Sequence, residues 1–134
     1  MRAGISDAVK RHIDGERFPE WRPFSDAVQQ RRPDAGTWCE AWTVRDIVVH
    51  QAGNAEELAR VLGAHVQGEP VGTRGFEERE APLRAMSDAD LWDALHDRMA
   101  ALDEVAAAAE DPSRICSRVG PETLGRVRRL LSGY

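Results

Sequence analysis

The sequence has few of the patterns that most directly identify a function. Two cysteines among 134 residues are too few for a disulfide scaffold. No apolar run approaches the roughly 20 residues that a membrane span requires, and no charged-then-apolar leader suggests export. No glycine-rich segment continues into the Gly-Lys-Ser/Thr of a phosphate-binding loop. We therefore expect a cytoplasmic protein that does not enter a membrane.

Net charge, composition and length narrow the possible classes of protein further. The net charge of -5 at pH 7 argues against a nucleic-acid-binding protein, since such proteins usually carry a basic balance. Hydrophobic residues make up 42% and charged residues 31% of the chain, which is typical of a globular protein. The length is suited to a single domain over residues 1–134.

The residue pattern is helical, because apolar residues recur at helical spacing and strand-like alternation is almost absent. The clearest helix begins after Thr43, which forms a capping box with Asp46, and Trp42 is placed to contact Ile47 as a hydrophobic staple. Gly63 is its predicted end.

A second clear helix is predicted between Ser87, which forms a capping box with Asp90, and the Asp111-Pro112 pair. The long connection before it is predicted to contain a short helical turn over residues 76–80. Weaker signals predict a helix capped by Ser25 and another from about Thr123. Together these patterns predict an all-α fold, a four-helix bundle.

His50 is the main candidate functional residue. At about 100° per residue it lies about 120° from the centre of the apolar stripe of its helix, at the border where a bundle helix meets a second neighbour. Bundle metal sites are built from inward-facing His and Glu side chains, but a boundary histidine that only satisfies its own hydrogen bonds has the same spacing. Asn54 and Glu57, in the same row, are its predicted first polar neighbours.

The other candidates are weaker. His96 is expected at the surface, and the chain has no His-x-x-x-His or Cys-x-x-Cys pair from which a closed zinc site is assembled locally. Cys39 precedes the first clear helix, where a thiol pKa is lowered, but a buried and inert thiol is the simpler expectation. Cys116 is expected to be an ordinary cysteine.

Residues 38–57 read WCEAWTVRDIVVHQAGNAEE. They resemble the signature of the mycothiol-dependent maleylpyruvate isomerase family of the DinB-like superfamily, a Cys-x-x-Trp-Thr-Val-Arg-Asp entry into a helix with a histidine four residues after the Asp. Residues 76–87, FEEREAPLRAMS, are similar to the family as well. The resemblance spans about residues 37–131.

The resemblance implies a DinB-like bundle over residues 36–134 that binds a divalent metal, most often zinc, with His50 as a metal ligand. It also implies an isomerase or S-transferase that uses the small-molecule thiol mycothiol and a small organic substrate. Residues 1–35 are atypical of the family's long first helix, because Pro19, Pro23 and Pro33 interrupt them. The family's other ligands, a Glu and a His on the last helix, have no counterpart before Tyr134. We therefore expect a short or truncated last helix and an incomplete metal site.

A second class of function remains open. A bundle with an incomplete edge exposes apolar surface that a second copy of the chain would cover. The alternative hypothesis is a non-catalytic helical module that forms a homodimer through this edge.

Overall fold

The computed structural model describes residues 12–110, which form four α-helices and no β-strand. The predicted all-α bundle is therefore confirmed for this part of the chain. The helices are α1 (Trp21–Gln29), α2 (Val44–Val66), α3 (Phe76–Arg84) and α4 (Asp88–Glu110).

Helix α2 begins where the sequence predicts and ends later. The Thr43 side chain accepts from the backbone N–H of Asp46, and the Asp46 carboxylate accepts from the backbone N–H of Thr43 at 2.9 Å, so the capping box is confirmed. The predicted end at Gly63 is wrong, since the helix continues to Val66. The chain leaves the helix near Gly68, whose φ of 78° favours glycine.

Helix α1 differs from the prediction in its cap and in containing a proline that was expected to interrupt it. It begins at Trp21, so Ser25 lies inside the helix and is not its cap. Pro23 is accommodated because it lies in the first turn, where a backbone N–H has no partner within the helix. Trp21, Phe24 and Val28 of this short helix pack against the core.

Helices α2 and α4 run parallel, side by side. Near their starts, Arg45 Nη1 donates to Asp88 Oδ1 at 2.6 Å. Near their ends, Gly63 faces Val105, whose Cγ1 lies 3.9 Å from the position of a Cβ at Gly63. The core forms mainly between these two helices. Its buried residues include Val48, Val49, Ala52, Ala55, Leu62, Leu91, Leu95, Met99, Leu102 and Ala106.

The parallel arrangement explains the long connection between α2 and α4. A 23-residue helix is about 34 Å long, and the chain must return along it before α4 begins. The predicted turn over residues 76–80 is part of this return, as the nine-residue helix α3. Hydrogen bonds hold this returning segment against α2 along its length. At one end Arg60 donates to the carbonyl oxygen of Gly72, and at the other Arg84 donates to the carboxylate of Asp46.

Several predictions lie outside the described residues. These are the last helix from about Thr123, the environment of Cys116 and the segment ahead of residue 12. Self-association through an incomplete edge depends on the same segments and stays a prediction. Among the described helices, none is long and apolar enough to cross a membrane.

Candidate functional site around His50

His50 lies on α2 at the half-buried border that its spacing predicts. Its side chain is 30% exposed. The rings of Trp42 and Phe76 flank the imidazole, with centroids 5.1 and 5.5 Å away. One edge of the imidazole therefore reaches solvent between two aromatic side chains.

Glu80 of α3 is the partner of His50, and the sequence did not indicate it. Nδ1 of His50 donates to Oε2 of Glu80 at 2.9 Å, and the glutamate is buried. Because an ionised carboxylate only accepts hydrogen bonds, this contact assigns the proton of a neutral imidazole to Nδ1 and the lone pair to Nε2. The close approach of α3 depends on Gly53, where a Cβ would lie 3.2 Å from Cγ of Glu80.

Nε2 of His50 faces the side chain of Asn54, which is itself hydrogen-bonded to Arg79. Nδ2 of Asn54 lies 3.2 Å from Nε2, and Oδ1 of the same amide accepts from Nη1 of Arg79 at 3.2 Å. The guanidinium of Arg79 stacks over the ring of Phe76, 4.3 Å from its centroid. The prediction that Asn54 is a polar neighbour of His50 is confirmed.

Arg84 binds the carboxylate oxygen of Glu80 that His50 does not use. It donates to Oε1 of Glu80 at 3.0 Å and to Oδ1 of Asp46 at 2.9 Å. Hydrogen bonds from the Thr43 backbone and from Arg84 lower the pKa of Asp46. Both oxygens of Glu80 are thus engaged, and its carboxylate holds His50 in a fixed orientation.

Comparison with known proteins supplies the decisive observation. Residues 18–132 match the family described as the mycothiol maleylpyruvate isomerase N-terminal domain. The chain belongs to this family. No curated protein and no solved structure matches the chain. The family match begins upstream of residue 37, where the resemblance in the sequence was expected to start.

Membership in the mycothiol maleylpyruvate isomerase family raises the question of whether the described residues suit a metal. His50 suits one, because a metal-binding histidine usually donates its other ring N–H to a carboxylate or carbonyl, as Nδ1 does here to Glu80. Within residues 12–110, however, no group of three or more His, Cys, Asp or Glu side chains is placed to hold a metal ion. The residues outside that range contain no histidine. The donor set that the described residues provide for a metal is therefore incomplete.

Glu57 belongs to a different cluster from the one that its position in the sequence predicts. It does not contact His50 but lies buried against Arg60 and Arg74, accepting from the backbone N–H of Arg74 at 2.6 Å and from its Nε at 2.8 Å. Burial alone raises the pKa of Glu57, but the hydrogen bonds from both arginines outweigh it and lower the pKa to about 2. The Glu57 carboxylate therefore holds the segment between α2 and α3 against α2 through its hydrogen bonds from Arg74.

Two further expectations are wrong. Cys39 is exposed rather than buried, because it lies in the loop before α2, where the Thr37 hydroxyl donates to its carbonyl oxygen. His96 is half-buried rather than at the surface, since α1 covers it and the Trp21 ring lies 5.8 Å away in an edge-to-face arrangement. The helix pattern did not reveal either environment, since Cys39 lies in a loop outside the helix and the cover on His96 comes from α1.

Proposed function

We propose that this chain is a thiol-dependent isomerase or S-transferase domain that uses mycothiol, with His50 as a ligand of a divalent metal, zinc being the expected ion. The observation that carries the proposal is the hydrogen bond from Nδ1 of His50 to the buried Glu80. It leaves Nε2 as the atom that donates a lone pair to a metal or accepts a proton from a thiol. The family match supports the thiol and the isomerase class.

The residues around His50 have separate parts in this proposal. Glu80 fixes the ring, and Arg84 donates to the other carboxylate oxygen of Glu80. The rings of Trp42 and Phe76 limit water at the imidazole. A bound divalent metal would supply Lewis-acid chemistry, lowering the pKa of a thiol and polarising a carbonyl group.

Zinc titration of the full chain tests the metal assignment. Because the described donor set is incomplete, we expect the wild type to bind zinc weakly and His50→Ala to remove that binding, measured by competition with a chromogenic chelator. His65→Ala is the matched control, because His65 is a half-buried histidine on the same helix. Zinc bound equally well by the His50→Ala variant would contradict the assignment of His50.

A separate titration tests the thiol. Mycothiol added to the full chain is expected to shift the ring resonances of His50 and Trp42, whereas glutathione at the same concentration is expected to have a smaller effect. Shifts confined to other parts of the chain would place the thiol elsewhere and contradict the proposal.

A further inference from the structure

Arg79 is a half-buried cation beside His50 that forms no ion pair with any residue in the range 12–110. Among these residues it forms a hydrogen bond from Nη1 to Oδ1 of Asn54 at 3.2 Å, and its guanidinium lies over the ring of Phe76, 4.3 Å from the centroid. Its Nε is buried and has no hydrogen-bond partner within the described part of the chain. Arg84, five residues further along the chain, differs in that it donates to two carboxylates.

This combination is unusual for a purely structural arginine. Buried donors are nearly always satisfied, because an unmade hydrogen bond is costly, so an unpartnered one indicates a functional role or a missing partner. The guanidinium group is a planar fork suited to a carboxylate, and an aromatic ring beneath it holds that plane in place. Phe76 is 57% exposed, so the stacked pair lies where a small molecule can reach it.

The charges nearby leave Arg79 available for an anion. The Glu80 carboxylate is shared by His50 and Arg84. Glu78, on the exposed side of α3, lies 3.9 Å from Arg74. The polar group that Arg79 does contact, the Asn54 amide, is neutral, and it connects the guanidinium to Nε2 of His50.

We propose that Arg79 binds the carboxylate of a small organic anion and thereby holds that molecule against Nε2 of His50. The carboxylate takes the place of the Asn54 amide oxygen at the guanidinium. This inference rests on the proposed function in one respect, that the site at His50 is the functional one. It adds a residue, Arg79, that binds the ligand and determines specificity.

The test is binding of succinate to the full chain, with its neutral diamide, succinamide, as the comparison ligand. Calorimetry gives the affinity, and the ring resonances of His50 show whether the anion lies at this site. We expect Arg79→Gln to weaken succinate binding by about tenfold or more, the effect of losing one charge-assisted hydrogen bond. Arg79→Lys, which keeps the charge but loses the fork, should give a smaller loss.

Arg22→Gln is the matched control, because Arg22 is an exposed arginine on α1 and the change removes the same charge. Unchanged affinity in Arg79→Gln, with a native circular dichroism spectrum, would overturn the proposal, and so would equal weakening by Arg22→Gln or equal binding of succinamide. Succinate binding through Arg79 in a chain that binds no zinc through His50 would support the inference and contradict only the metal assignment.

Discussion

At the scale of single residues, the decisive contact is between His50 and Glu80. A carboxylate at Nδ1 selects one tautomer of the ring and orients it. His50 and Arg84 each donate to one oxygen of Glu80. Gln would be a poor substitute, because its amide has only one acceptor oxygen and its NH₂ group would face one of these two donors.

We therefore expect Glu80→Gln to lower the free energy of unfolding by about 1–3 kcal/mol, the usual cost of a buried donor left without its acceptor. Chemical denaturation measures the loss, and the ring nitrogen resonances of His50 report the change of tautomer. Glu77→Gln on the exposed side of α3 is the control and should leave both unchanged.

The exposure of Cys39 leads to a second expectation at this scale. In a Cys116→Ser background, the folded protein should react with a thiol-specific chromogenic reagent at about the rate of a free cysteine, because Cys39 is exposed. The added Cys39→Ser change should abolish the reaction. A slow reaction that accelerates only in denaturant would show that the thiol is covered in solution.

At the scale of elements, the connection between α2 and α4 positions the site. It brings Glu80 to His50 by lying antiparallel along α2, and at Gly53 a Cβ would lie only 3.2 Å from Cγ of Glu80. Gly63 on the same helix lacks this constraint, since its nearest neighbour beyond the helix lies at ordinary contact distance, 3.9 Å from a Cβ.

Two glycine substitutions should therefore act in opposite directions. Gly53→Val should destabilise the protein by about 1–3 kcal/mol through overpacking and move Glu80 away from His50. Gly63→Ala should stabilise it by about 0.5–1 kcal/mol, since alanine suits a helix interior better. Thermal and chemical unfolding measure both, and equal effects of the two changes would show that α3 is not closely packed at Gly53.

The features that the sequence predicted correctly are local ones. A capping box is decided by residues three apart, so Thr43 and Asp46 sufficed to place the start of α2. The border position of His50 follows from helical spacing alone. Its partner Glu80 is 30 residues away, and only the path of the connection brings it there. The burial of Glu57 was missed for the same reason, because the two arginines that neutralise it come partly from the connection.

At the scale of the whole molecule, the buried carboxylate of Glu57 makes the free energy of unfolding depend on pH. The ordinary pKa of Glu57 is 4.5 and its folded value is about 2, so folding favours the ionised form. A carboxylate with a lowered folded pKa contributes its stabilisation above the unfolded pKa and loses it as the pH falls through the folded pKa.

The free energy of unfolding should accordingly decline as the pH falls from about 4.5 towards 2. In Glu57→Gln the decline should be shallower, although the variant should be less stable at pH 7 because Arg60 and Arg74 lose their carboxylate. Denaturation across this pH range measures both effects. Glu69→Gln, an exposed change in the same connection, should reproduce the wild-type slope.

The parallel course of α2 and α4 has an electrical consequence. The positive ends of two helix macrodipoles lie side by side at one end of the molecule, and they repel each other there. Aspartates in both first turns, Asp46 in α2 and Asp88 and Asp90 in α4, offset that repulsion. At the opposite end Arg17 pairs with Glu110 in the last turn of α4. The direction of the two helices therefore determines at which end of the molecule acidic and basic side chains stabilise it.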